Sequence, residues 1–124
     1  MRDLKAEDIM IRNIMTADSE EIVASAKLRM VRHGIGGLPV TQNGTLVGII
    51  THRDIILAGD EVVGLKVKDI MSKDVISVSK DTSLKEITKL MRKTGYQRIP
   101  VVDGGKILGI ITQSSVINSI AERL

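Results

Sequence analysis

Sliding this chain along itself by 61 positions lays nearly all of its first half on its second without a gap. Leu4-Lys5 falls on Leu65-Lys66, Asp8-Ile9-Met10 on Asp69-Ile70-Met71, Met30 on Met91 and Gly34 on Gly95. Pro39-Val40 falls on Pro100-Val101, Gly44 on Gly105, and Gly48-Ile49-Ile50-Thr51 on Gly109-Ile110-Ile111-Thr112. Such a duplication restricts the fold to one small unit made twice. Two copies of one unit pack about a pseudo-twofold axis and leave two related clefts between them. A unit of about 60 residues buries only about 60% of its unfolded surface and is marginal alone. The reading is one module of two motifs, 1–60 and 61–124, sharing a core and joined through 60–64. Function is to be sought where the copies differ: Asp54 faces Ser115, and Gly37 faces Arg98.

Within each copy the pattern predicts a short helix, a strand, a helix, a hairpin and a last helix. In the second copy, 67–71 reads as a helical turn and 75–78 as a strand. Ser83 and Glu86 stand at capping-box spacing, and Leu84, Ile87, Leu90 and Met91 recur at the helical period up to Gly95. The matching helix of the first copy spans 20–33, with Asp18 and Glu21 as its capping pair and Gly34 at its end. Asn43-Gly44 is a favoured hairpin turn, replaced in the second copy by Asp103-Gly104-Gly105. The apolar runs 47–50 and 108–111 predict strands covered on both faces, in which Gly48 and Gly109 mark a close approach by backbone or ligand. Last helices follow at 52–58 and 113–122, and the matched methionines belong to the core.

Composition narrows the function classes. The chain is 43% apolar, 27% charged and free of cysteine, which fits a cytoplasmic, reducing compartment. Its opening residues are charged and no apolar run approaches a membrane span, so neither a signal peptide nor membrane attachment is expected. A net charge of +3 raises nucleic-acid binding, and Lys89, Arg92, Lys93 and Arg98 form the clearest basic cluster. Charges of both signs are otherwise mixed along the chain, and Tyr96 is the one aromatic, so no stacking platform exists. The cluster reads as a solvated face. His33 and His52, without cysteine, cannot assemble a structural zinc set, and they read as helix-surface residues. No nucleophile elbow, Walker loop or paired acid and base is present, so neither catalysis nor metal binding is expected.

Two readings fit Thr51-His52-Arg53-Asp54, which sits where an apolar strand turns into a helix. The threonine hydroxyl and nearby backbone N–H groups suit a phosphate, while the aspartate one turn in could accept from two sugar hydroxyls. Equally, Thr-x-x-Asp is a helix N-cap with an acid at the third helical position. In the second copy Thr112 keeps the capping role and Ser115 replaces the acid. Arg98 similarly offers either a planar fork for phosphate or a surface cation on a snorkelling stem.

The order Asp-Ile-Met, helix ending in Gly, Gly-x-x-x-hydrophobic-Pro-Val, Gly-Ile-Ile-Thr-x-x-Asp resembles the CBS domain (cystathionine β-synthase domain). Gly34 to Val40 with Gly48 to Asp54, and Gly95 to Val101 with Gly109 to Thr112, carry the resemblance, which departs at Ser115. The chain looks like a stand-alone CBS pair, a Bateman module. The resemblance implies an α/β fold of two β-α-β-β-α motifs, each a small sheet with packed helices. It implies an adenosine ligand in the cleft between motifs (AMP, ADP, ATP, or S-adenosylmethionine in some members) and no other cofactor.

By the family pattern, Thr51 holds phosphate and Asp54 the ribose hydroxyls, while Ile49 with Val75 and Ile76 encloses adenine. Arg98 reaches the phosphates and Pro100 stands at the cleft wall. Arg53 joins this ligand-binding set; the number of phosphates depends on how many basic groups converge, and sequence alone does not place Arg53, Lys73 and Lys106. The twin cleft around Thr112 has Ser115 for the acid and Gly37 for the arginine, which predicts one competent site per chain. The resemblance further implies a homodimer and a regulated effector protein. The alternative is a ligand-free dimerisation or protein-interaction scaffold.

Overall fold

A computed structural model describes residues 3–123; Met1, Arg2 and Leu124, at the ends of the predicted halves, lie outside the described residues. Its elements follow in chain order as α1 (Ala6–Ile9), β1 (Ala17–Asp18), α2 (Val23–His33), β2 (Gly37–Gln42), β3 (Thr45–Thr51) and α3 (His52–Ala58). After a 3-10 turn over Asp60–Gly64 come α4 (Val67–Ile70), β4 (Val78–Ser79), α5 (Leu84–Thr94), β5 (Arg98–Asp103), β6 (Lys106–Thr112) and α6 (Gln113–Ala121). The duplicated α/β order is the one the repeat predicts. The chain gathers into two units, Met15–Val75 and a second made of 3–14 with 76–123.

The first unit carries β1, β2 and β3, with β1 parallel and β3 antiparallel to β2. Asn43 and Gly44 adopt φ of 53° and 81°, the positive values that the two-residue hairpin turn requires. Ala17, Val23, Ala26, Met30, Leu38, Val40, Ile50 and Ile55 form the core. Val67, Ile70 and Met71, which open the second repeat, pack into this same core. The reason lies at Gly48. A Cβ there would stand 2.6 Å from Met71 Sδ and 2.8 Å from the Ser72 carbonyl oxygen. Its absence lets Ser72 pair with Ile49 through two backbone hydrogen bonds of 2.9 Å.

The second unit repeats this construction with exchanged material. Its strands β4, β5 and β6 bear the same parallel and antiparallel relations. Val78, Ile87, Ile99, Val101, Ile111 and Val116 are its core, joined by Leu4, Ala6, Ile9 and Met10 from the start of the first repeat. Gly109 admits Ile11 and Met10 as Gly48 admits Ser72 and Met71, and Ile11 pairs with Ile110 at 2.8 and 3.0 Å. The single shared core predicted from the repeat is thus replaced by two cores, each holding side chains of both repeats. The sequence motifs 1–60 and 61–124 and the spatial units differ by one leading segment apiece.

Local differences from the sequence reading have local causes. Helix α2 begins at Val23 rather than residue 20, because Asp18 and Glu21 fold a separate turn. In it Asp18 N–H donates to Glu21 Oε1 at 3.1 Å and Glu20 N–H to Asp18 Oδ1 at 2.9 Å. In α5, Ser83 Oγ does accept from the Glu86 N–H at 3.2 Å. The strand expected over 75–78 shrinks to Val78–Ser79, since only Val78 and Ser79 find partners on β5 and Val75 turns back onto the Lys73 carbonyl. Nor is β3 covered on both faces: Gly48 and Ile50 are buried while its other residues remain half-buried.

Ion pairs secure the exchanged segment unequally. In the first unit Glu20 accepts from Lys66 Nζ at 2.6 Å and Lys68 Nζ at 2.7 Å, and these two ammonium groups pull its carboxyl down to about 2. Glu21 pairs with Arg29, which holds the Glu21 carboxyl below its ordinary value and also donates to the Thr16 carbonyl. In the second unit the equivalent of Glu20 and Lys66 is Asp81 and Lys5, 4.0 Å apart.

Candidate functional site

Strand β3 delivers Thr51 directly onto helix α3. Thr51 Oγ1 accepts from the Asp54 N–H at 3.1 Å, and Asp54 Oδ2 accepts from the Thr51 N–H at 3.0 Å. This reciprocal box caps the helix as the local reading expects. The second unit builds the same box: Thr112 Oγ1 accepts from the Ser115 N–H at 3.0 Å, and Ser115 Oγ accepts from the Thr112 N–H at 2.9 Å. Capping is therefore common to both positions and cannot be what separates them.

What separates them is what remains after capping. Ser115 has one oxygen, and its hydroxyl proton is also committed, donated to the Thr112 carbonyl at 2.9 Å. Asp54 has two oxygens. Oδ2 caps, while Oδ1 has no hydrogen-bond partner among the described residues. Each carboxylate oxygen offers about two lone-pair directions, so a half-buried acceptor stands ready for external hydroxyl donors.

Position 37 sharpens the contrast. Gly37 lies opposite Thr51 in the β2–β3 register and is buried; a Cβ there would come within 3.3 Å of Ile50 O and Thr51 Cγ2. Its counterpart Arg98 lies opposite Thr112 at the start of β5, exposed and without an ion-pair partner among the described residues. Small bulk beside Thr51 keeps that threonine unobstructed.

The sequence-derived ligand set divides between the units. Ile49, Thr51, Arg53, Asp54 and Val75 belong to the first, and Ile76, Arg98 and Pro100 to the second. Thr51 and Asp54 are brought together directly, and Ile49 is two residues back along β3. Val75 and Ile76 are half-buried but outside any strand, whereas Arg53 is exposed. Pro100 is fully buried opposite Ile110, so it shapes β5 from within. His33 is exposed and His52 half-buried, and no group of three metal-ligating side chains occurs among the described residues. No described helix is long and apolar enough to cross a membrane.

Sequence reasoning missed Met71 and Ser72, which line β3 beside Ile49. Gly48 signalled that something approaches closely; nothing in the local sequence said that it is the segment over 20 residues downstream.

Residues 6–61 and again 67–122 match the profile of the CBS domain. The chain belongs to the CBS-domain family. This CBS pair is 40% identical over 113 residues to inosine-5′-monophosphate dehydrogenase of Korarchaeum cryptofilum, a match covering 90% of this chain and 23% of the enzyme. It is 37% identical over 115 residues to the same enzyme of Methanocaldococcus jannaschii, covering 91% and 23%. The CBS pair thus spans about a quarter of the length of these curated relatives. Among solved structures it resembles CBSX2 in complex with AMP, with TM-score 0.87 and 27% identity over 96% of this chain and 97% of that one. It also resembles protein MJ1225 of M. jannaschii, with TM-score 0.85 and 32% identity over 94% of this chain and 47% of that one.

Proposed function

We propose that this CBS pair is a non-catalytic regulatory module that binds an adenine nucleotide, with AMP the first candidate. The carrying observation is the uncommitted Oδ1 of Asp54 beside Thr51, in a chain similar to a CBS protein solved with AMP. Asp54 accepts from the ribose hydroxyls, Thr51 donates to phosphate, and Ile49, Val75 and Ile76 supply apolar contact for adenine. Arg98 neutralises phosphate, with Arg53 as a further cation and Pro100 behind the wall. ADP, ATP and S-adenosylmethionine share the ribose and adenine and differ in the charge that Arg98 meets. The expected stoichiometry is one nucleotide per chain, because Ser115 has a single oxygen already engaged as acceptor and donor, whereas Asp54 keeps a second, unengaged oxygen able to accept from two hydroxyls.

The module acts in the cytoplasm as a homodimer. Leu28, Val31, Ile56 and Leu57 in one unit and Ile117 and Ile120 in the other leave 43–74% of their surface exposed, which favours burial against a second copy. Ligand binding then shifts the balance between arrangements, and an effector protein reads the shift.

A thermal-shift panel of AMP, ADP, ATP and S-adenosylmethionine tests the assignment. At a hundred times its Kd a ligand stabilises by about 2.7 kcal/mol, a rise of roughly 10 °C for a domain of this size. No rise with any of the four would leave the ligand-free scaffold as the surviving reading.

A further inference from the structure

Helices α2 and α5 occupy equivalent positions, yet their outward faces differ at three of the four positions where α5 carries a cation, Arg32 matching Lys93 at the fourth. On α5, Leu84, Ile87, Leu90 and Met91 turn to the core, and Lys85, Lys89, Arg92 and Lys93 are exposed. Lys85, Lys89 and Arg92 follow at intervals of four and three residues and Lys93 is adjacent, so the four cations lie within about 100° of the helix circumference. The positions of Lys85, Lys89 and Arg92 are held on α2 by Ala24, Leu28 and Val31, all exposed and apolar. Against these cations α5 carries Glu86 alone, so this one helix has a net charge equal to the +3 of the entire chain. None of the four cations makes an ion pair among the described residues.

We propose that the cationic face of α5 is a docking surface for an acidic segment of a partner protein, one that presents carboxylates at helical spacing. The face measures about 12 Å from Lys85 to Lys93 at 1.5 Å per residue. Such a length matches two turns of an acidic helix, whose i, i+4 carboxylates repeat at the same interval. Nucleic acid fits less well: four cations reach few phosphates, and the one aromatic of the chain, Tyr96, offers no stacking series. A second copy fits less well too, because its equivalent helix carries cations of its own, Lys27, Arg29 and Arg32, and its Glu20 and Glu21 are already held by Lys66, Lys68 and Arg29. The proposal depends on the regulatory reading only for the purpose of docking and not for its chemistry.

The test uses the full chain, free of nucleotide, and a fluorescein-labelled helical peptide of about 20 residues with glutamate at i, i+4 spacing. Anisotropy should report saturable binding that falls at least tenfold in Lys85→Ala/Lys89→Ala/Arg92→Ala, at an unchanged melting temperature. Replacing the three lysines of α5 by arginine should retain it, and removing the exposed cations of α2 in Lys27→Ala/Arg32→Ala should leave it unaltered. Absence of peptide binding, or equal binding by the triple variant, overturns the proposal. Tighter binding of a 20-mer RNA or DNA duplex than of the peptide overturns it in favour of nucleic acid. A changed oligomeric state of the triple variant in sedimentation overturns it in favour of a second copy. AMP binding is not read in this experiment, so a failed nucleotide assignment leaves its outcome intact.

Discussion

The boxes at Thr51–Asp54 and Thr112–Ser115 are the same local structure built from different side chains. Both join an apolar strand to a helix, and both satisfy the same two backbone N–H groups, at 3.0 and 3.1 Å in one and 2.9 and 3.0 Å in the other. The serine's one oxygen both accepts and donates in that work, while the aspartate retains a second oxygen that takes no part in it. Duplication therefore supplied a spare scaffold position. One copy carries a side chain whose single oxygen does the capping, and the other a side chain that caps with one oxygen and has another left over. A side chain that caps is not thereby excluded from binding, and the question to ask is which atoms capping leaves over.

The largest effect should come from closing the approach on which both units depend. Gly48→Ala places a methyl against Met71 Sδ and the Ser72 carbonyl and should destabilise by about 1–3 kcal/mol in urea denaturation. Gly109→Ala, against Ile11 and Met10, should cost a similar amount. If only one of the two is destabilising, the units are less alike in their exchanged packing than the matching contacts at Gly48 and Gly109. Next come the caps. Thr51→Ala and Thr112→Ala should each lower stability by about 1 kcal/mol, and by equal amounts, because each removes one capped N–H group. Unequal costs would mean that one box does more than cap the helix even without ligand.

The smallest effect concerns pH. With its carboxyl pulled to about 2 by Lys66 and Lys68, against an ordinary 4.5, Glu20 contributes stability that is complete above about 4.5. That contribution is lost as pH falls from 4.5 towards 2, when the native state takes up the proton late. Glu20→Gln should flatten this acid limb slightly, and more at low than at high salt, since the pair is exposed.

Much of this was legible in the sequence. The repeat, the Asn43-Gly44 and Gly104-Gly105 turns, the helix ends at Gly34 and Gly95 and the two threonine caps all follow from local chemistry. The exchange of leading segments was not. Asp8-Ile9-Met10 and Asp69-Ile70-Met71 are identical, so each would fit either glycine-lined strand, and a repeat cannot say which copy its own opening packs against. The uncommitted oxygen of Asp54 was equally hidden. Thr-x-x-Asp and Thr-x-x-Ser both spell an N-cap, and only the hydrogen bonds reveal that Ser115 also donates backwards to Thr112.

The most direct test of the account is a calorimetric titration of AMP into the native chain and into Asp54→Ser, which copies the second cap into the first. Because serine caps at position 115, the variant should keep its melting temperature within about 2 °C. The account predicts one AMP per native chain and a loss of affinity in the variant of about 1–3 kcal/mol, roughly 5- to 150-fold. Two AMP per chain, or an unchanged affinity in Asp54→Ser, would contradict it.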